Sequence, residues 1–331
     1  QVFFDELGIP KPYYNLNIGS GLHGKQTARM IEGIEELLLS ENPDYLLLYG
    51  DTNSTLSGAI AASKINIPIV HVEAGLRSYN REMPEEINRI TCDHLSSLLF
   101  SPTKSGFQNL INEGFNSENK APFSADNPGI FHCGDIMYDN SLHYASLASK
   151  ESNILVDNDL TSNEYVLATV HRDHNTDITD NLISIFEALI TISSHLKVVL
   201  PLHPRTNKKL QSKELKKILR KITECNNLFL IPPVSFLDMI QLERNTSLII
   251  TDSGGVQKES YFFNKPCIVL RPETEWIEIL ETEKAKLVSA DYNKILSAFD
   301  TLINIDESKF PKIFGDGRAA KFICETLIAN S

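Results

Sequence analysis

Short apolar runs alternate with helix-length patterns along almost the whole chain, and this alternation restricts the fold more than any other feature. Runs at 45–49, 68–72, 97–100 and 129–133 read as buried strands, as do those at 165–170, 196–201, 227–231, 247–251 and 266–270. Helical patterns lie between them, near 25–40, 52–64, 85–96, 103–113, 137–149, 179–193, 207–220, 236–243 and 255–263. Strands joined through helices run parallel and are covered on both faces, so the class is α/β. The polar stretch 150–164, "KESNILVDNDLTSNE", has no strong period and reads as a linker. It predicts two Rossmann-like domains with parallel sheets, residues 1–149 and 165–314, and a ligand cleft between them. Residues 315–331 open on a Gly-Asp-Gly turn and read as a terminal helix that crosses back to the first domain.

A chain of 331 residues has room for two cores of ordinary size. Its net charge of −12 leaves no basic stripe to neutralise phosphates, which argues against a nucleic-acid partner. A small anion is still compatible with that charge, because a helix N-terminus and one or two basic groups suffice to hold it. The cysteines at 92, 133, 225, 267 and 324 are odd in number and far apart; they read as buried, reduced thiols rather than as disulfides or metal ligands. No apolar run approaches a membrane span and no signal peptide opens the chain, so the expected location is the cytoplasm, with no membrane partner. The opening "QVFFDELGIPKPYYNLNIGSG" holds no complete strand-helix unit, and the chain is expected to begin inside a domain.

Four segments place chemistry at strand ends, where open α/β sheets bind ligands. In "YGDTNSTLSG", Asp51 follows the first strand; it could cap the next helix or project into a site. In "VHVEAGLRSYNREMPEEINR", Glu73 stands between an apolar strand and an Ala-Gly turn, where no helix needs capping. Glu85 and Glu86 follow a proline at a helix start, where acids complement the helix dipole. In "VLATVHRDHNTD", His171 and Arg172 end a strand, a pairing suited to an anionic ligand and to proton transfer, though a surface histidine is the plainer reading. In "LIITDSGGVQKES", Ser253, Gly254 and Gly255 form a tight turn that opens a helix and exposes backbone N–H groups to an anion, with Glu259 one turn inside. This is neither a GxGxxG fingerprint nor a Walker loop.

Taken in order, "GDTNST", "HVEAGLRS", "MPEEINR", "TVHRDHNTD", "PLHPRT", "TDSGGVQKE" and "RPETEW" make the chain resemble the non-hydrolysing UDP-N-acetylglucosamine 2-epimerases over nearly its whole length. "SYNREMPEEINRI", "GDIMYDN" and the Glu-Trp of "RPETEWIEI" look closer to the branch acting on UDP-2,3-diacetamido-2,3-dideoxyglucuronate. The resemblance implies the GT-B arrangement with the UDP-sugar in the cleft, and inversion at C2 by elimination and re-addition of UDP. It implies catalytic roles for Asp51, Glu73, Glu85 and His171, a phosphate-binding turn at Ser253–Gly255, and a ribose-binding carboxylate at Glu259. Arg172 is the accompanying basic group. No cofactor and no metal are expected, and the expected partners are a UDP-sugar and a second copy of the chain.

Two features depart from the family pattern. Its usual opening strand, Gly-x-Arg-Pro loop and second strand are not recognisable, so residue 1 is expected to fall roughly 45 residues into such a chain. Met239 stands where many members place an aromatic against uracil, and Phe236 is the expected substitute. A glycosyltransferase of the same fold, a hydrolysing epimerase and a non-catalytic nucleotide-sugar binder are the alternative functions.

Overall fold

The computed structural model describes residues 7–274 and 276–330, so Glu275 of "RPETEW" lies outside the described residues. The chain forms two compact units, residues 1–139 with 312–331, and residues 140–311.

In the first unit, helix α1 (His23–Glu41) leads to strand β1 (Leu46–Tyr49), followed by α2 (Asn53–Lys64), β2 (Ile69–Val72), α3 (Pro84–Leu95), β3 (Leu98–Ser101), α4 (Lys104–Asn112) and β4 (Gly129–His132). The four strands form one parallel sheet in the order β1-β2-β3-β4. Every residue of β2 and β3 is buried, whereas Leu47 and Tyr49 on edge strand β1 are exposed. Beneath β1 and β2, the small residues Ala59, Ala61 and Ala62 bring α2 close to Leu48 and Ile69.

The helix that starts within this unit, α5 (Ile136–Glu151), runs across the division at Asp139 and Asn140. The boundary therefore falls ten residues before the one read from the sequence. The stretch 150–164 is likewise part of the second unit. It contains α6 (Ile154–Asp157) and is held by Ser152 Oγ to Asp238 (2.5 Å) and by Lys265 Nζ to Asn163 (2.7 Å). Its polar residues serve these bonds, which is why it has no apolar period.

The second unit continues with β5 (Tyr165–Thr169), α7 (Asp173–Thr176), α8 (Thr179–Ile192), β6 (Lys197–Pro201), α9 (Pro204–Leu210), α10 (Lys216–Thr223) and β7 (Leu228–Ile231). It is completed by α11 (Phe236–Asn245), β8 (Leu248–Thr251), α12 (Gly254–Phe262), β9 (Cys267–Val269), α13 (Ile277–Glu281), β10 (Ala285–Leu287) and α14 (Tyr292–Leu302). Its parallel sheet has the order β10-β9-β8-β5-β6-β7. The strand β10 escaped the sequence reading because three residues flanked by Lys284 are too short to show a period. Strand order reverses between β5 and β8, and the carboxyl ends of strands at such a switch point form the ligand crevice of an open α/β sheet.

The last helix, α15 (Ala319–Ala329), belongs to the first unit. Ile323 and Leu327 pack with Val70, Val72, Leu98 and Phe100, and the Asp139 carboxylate accepts from the N–H groups of Ala319 (3.1 Å) and Ala320 (2.8 Å) at its start. All five cysteines are free thiols, with Cys92 and Cys267 buried but Cys324 exposed, which corrects the expectation of uniform burial. Among the described residues no helix is long and apolar enough to cross a membrane.

Candidate active site

At the switch point of the second unit, His171 and Arg172 follow β5, and Ser253, Gly254 and Gly255 follow β8. The turn after β5 is shaped by Asp252, which the sequence reading passed over. Its fully buried carboxylate accepts from the backbone N–H groups of His171 (3.0 and 3.1 Å) and Arg172 (2.9 Å) and from Asn175 Nδ2 (3.0 Å). The same carboxylate lies 3.3 Å from His171 Nδ1. With Nδ1 turned toward an acceptor, Nε2 is the nitrogen left to take a proton. Burial lowers the His171 pKa against the opposing pull of Asp252, and the His203 and Arg172 charges lower it further, so the ring is neutral and basic near pH 7. The Arg172 side chain is exposed.

Ser253 caps α12, its Oγ accepting from Val256 N (3.4 Å), and its own N–H is taken by Thr251 Oγ1 (2.9 Å). The N–H groups of Gly254 and Gly255 are then the donors that the first turn of α12 offers to an anion. Phe236 opens α11 and meets Tyr144 edge to face (centroids 5.4 Å, 86°). Glu259 sits on α12 beside Glu243 of α11, a residue the sequence reading did not single out. Glu243 is fully buried, with its carboxyl group directed at that of Glu259. Burial, reinforced by the charge of Glu259, drives its pKa well above the carboxylate range. Burial also raises Glu259, against Lys258 and Glu243, which act the other way.

A protonated Glu243 has a consequence for stability. An acid whose pKa is raised on folding favours the native state at low pH, and that contribution is lost as pH rises through the folded value. Glu243→Gln is neutral at every pH. Its melting temperature should match the wild type only below the unfolded-state glutamate value, about pH 4, and exceed it by a growing margin as the buffer is made neutral and then alkaline. Parallel melting curves across that range would show that Glu243 is not the buried acid described.

In the first unit, Asp51 and Glu73 follow the adjacent strands β1 and β2. Asp51 does not cap α2. Thr52 does so, in a reciprocal capping box with Thr55, which leaves the Asp51 carboxylate to Arg89 (2.7 Å). Glu73 has φ +74°, a left-handed conformation that costs a non-glycine residue roughly 1 kcal/mol or more and collects at functional sites. Its Oε2 lies 3.3 Å from where a Cβ on Gly50 would stand, and Gly50 itself has φ +63°, so a side chain there would be strained and crowd the acid. Glu85 is exposed in the first turn of α3. The helix-dipole reading of Glu86 is corrected: it is buried and accepts from Ser78 N (2.9 Å), Tyr79 N (3.0 Å) and Arg89 (2.8 Å), fixing the loop before α3.

Deeper in α3, Asp93 is fully buried with His71 Nδ1 at 2.7 Å, Arg77 at 2.8 Å and the Gly75 N–H at 3.1 Å. The residues Glu86, Arg89 and Asp93 share one face of α3, and a charge repeat of three and four directed at a sheet was the available signal for them. A cavity of about 510 Å³ opens beside this site, lined by His23, Thr27, Asn53, Glu82, Pro84 and Asn88 among others.

Residues 1–328 match the UDP-N-acetylglucosamine 2-epimerase family. The chain belongs to that family. Within it, the chain is 49% identical over 328 residues to a UDP-N-acetylglucosamine 2-epimerase homolog of Methanococcus maripaludis, covering 99% of this chain and 87% of the relative. It is 43% identical to the UDP-2,3-diacetamido-2,3-dideoxy-D-glucuronate 2-epimerase of Pseudomonas aeruginosa, covering 99% and 86%. The fold is similar to that of Methanocaldococcus jannaschii UDP-GlcNAc 2-epimerase, solved in complex with UDP-GlcNAc and UDP, at a TM-score of 0.79 and 39% identity, covering 99% of this chain and 87% of that one. As a member of this family the chain is a UDP-sugar 2-epimerase, an isomerase with two parallel-sheet units of the GT-B type.

Proposed function

We propose that this 2-epimerase inverts C2 of a UDP-linked 2-acetamido sugar, either UDP-N-acetylglucosamine or a UDP-2,3-diacetamido uronic acid, through elimination of UDP. The observation that carries the mechanism is the pair of acids on adjacent strand ends of the first unit, Asp51 and Glu73, one of them on strained backbone. The C2 proton is not next to a carbonyl, so it cannot leave alone. When a base takes it, the C2–H electron pair forms a C1=C2 bond and the C1–O bond breaks, its electrons leaving with UDP. Protonation of the 2-acetamidoglycal from the other face, with attack of the UDP oxygen on C1, completes the inversion. Asp51, Glu73, Glu85 and His171 are the proposed proton-transfer groups, and the Gly254 and Gly255 N–H groups with Arg172 the proposed donors to the departing diphosphate. Glu259 is the proposed ribose acceptor and Phe236 the proposed aromatic neighbour of the uracil. The product would feed bacterial surface polysaccharide synthesis in the cytoplasm, and the working form would be a homodimer.

Incubation of each UDP-sugar in deuterated water tests this reading. The expected result is reversible interconversion of the C2 epimers, with deuterium entering C2 and UDP still attached. Release of UDP with a free sugar would indicate a hydrolase, transfer to an added acceptor a glycosyltransferase, and binding without turnover a nucleotide-sugar sensor.

The nucleotide half of the reading has its own test. Gly254→Val should weaken UDP binding, because the side chain obstructs approach to the backbone donors. Glu259→Gln should weaken UDP about 10-fold, on the scale of a hydrogen bond to a charged group, and leave pyrophosphate unaffected. Titration calorimetry with both ligands decides it, and equal losses for UDP and pyrophosphate would place Glu259 away from the ribose.

A further inference from the structure

The buried histidine of "HVEAG" is not among the groups given a proton-transfer role, yet its hydrogen bonds fix its charge. His71 is fully buried on β2. Its Nδ1 meets Asp93 Oδ1 at 2.7 Å and its Nε2 meets the carbonyl oxygen of Gly50 at 2.9 Å. A carbonyl oxygen only accepts, so Nε2 carries a proton. Asp93 accepts through its other oxygen from Arg77 and from the Gly75 N–H, an arrangement that holds it ionised, so Nδ1 carries a proton as well. Both ring nitrogens donate, and the ring is an imidazolium.

The groups around this cation account for it. Asp93 and Cys92 approach from α3, Glu73 from the end of the same strand, and the Gly50–Asp51 turn from β1; Arg77 shares Asp93 and is itself paired with Glu113. The Cys92 thiol, pushed up to about 12 by burial and by the charges of Asp93 and Asp51, is neutral. Burial alone would lower the His71 pKa, but the Asp93 hydrogen bond and charge, the Gly50 carbonyl and the Glu73 charge outweigh it and raise the pKa above the ordinary value. Asp93 is lowered in turn: burial opposes this, while His71 and Arg77 prevail.

We propose that His71 is a positioning residue for both strand-end acids, tying the Gly50–Asp51 turn to the buried Asp93–Arg77 pair and setting a fixed positive charge beneath Glu73. The inference rests on the epimerase mechanism above for its effect on rate, and on the hydrogen bonds alone for the charge. The cation gives Glu73 a reason to stay ionised in a half-buried position, as a proton acceptor must. It also fixes the carbonyl immediately before Asp51, so both acids are referred to one buried group.

Two measurements test it. In the wild-type protein, nitrogen-15 NMR of labelled histidines should show one histidine with both ring nitrogens protonated from mildly acidic to mildly alkaline pH; a neutral His71 at neutral pH overturns the proposal whether or not any variant folds. In His71→Gln, kcat should fall about 10- to 100-fold, the scale seen when the partner holding a reacting group is removed. UDP affinity should be unchanged, and the acidic limb of the kcat/KM profile should move to higher pH, because a carboxylate without its cation protonates more readily. A normal kcat with an unmoved acidic limb overturns the proposal. Absence of turnover in the wild type would instead fail the epimerase reading, and the NMR result would stand separately.

Discussion

Asp51→Asn, Glu73→Gln, Glu85→Gln and His171→Ala, made singly, should each cut epimerase turnover about 100-fold or more, the ordinary scale for a group that moves a proton in the rate-limiting step. Folding should survive in all four. The Asp51 and His171 side chains are each about one-third exposed (32% and 33%) and Glu85 is exposed, while Glu73 is half-buried and its replacement by Gln leaves His71 still paired with Asp93. Asp51→Asn gives up the ion pair with Arg89, which keeps Glu86 at 2.8 Å as its counter-charge. Circular dichroism and UDP affinity should therefore match the wild type while deuterium incorporation at C2 collapses. Near-normal turnover in any two of the four would remove the proton-transfer assignment.

Asp93→Ala should produce the largest loss of stability. The carboxylate is the shared counter-charge of His71 and Arg77, and all three side chains are at most 1% exposed. Removing it strips His71 of the group that keeps its ring charged and leaves the buried Arg77 guanidinium to Glu113, which reaches it from the surface. Breaking a buried pair from one side costs about 3–5 kcal/mol. For a unit of this size that lowers the melting temperature by roughly 6–20 °C. The loss should be confined to the first unit, so UDP binding by the second should persist at temperatures where the first has opened. Native melting in Asp93→Ala would mean that this network does not hold the first unit together. Since Asp93 is also held below the carboxylate range, its contribution is present at neutral pH and is lost as pH falls through its folded value.

The strands of both sheets were legible because each is a nearly continuous apolar run between helix-length segments. β2, β3, β5 and β8 are buried at every position and show no alternation to obscure them. The residues proposed as catalytic and as substrate-binding were also legible as types, because Asp51, Glu73, His171 and Ser253 stand at the ends of such runs with few other duties in view. The helix 207–220 was less legible: it breaks at Gln211 into α9 and α10, since its polar residues fit either one helix or two. The polar stretch 150–164 read as a linker because composition reports polarity, while the bonds that absorb that polarity come from residues as distant as Asp238 and Lys265.

The sequence by itself determined the α/β class, the two parallel-sheet units and the strand ends where the chemistry is proposed, because strand and helix periods are local properties of the chain. The order of the strands, and with it the switch point between β5 and β8, was decided by tertiary structure. So were the identities of the supporting residues: Asp252 beneath His171, Thr52 rather than Asp51 as the cap of α2, and Glu86, Asp93 and His71 behind the first-unit acids. A charge reads the same along the chain whether it faces water or another charge. Only the fold sets its partner, its burial and therefore its protonation, and those settle whether a carboxylate holds a loop, pairs a cation or is free to take a proton.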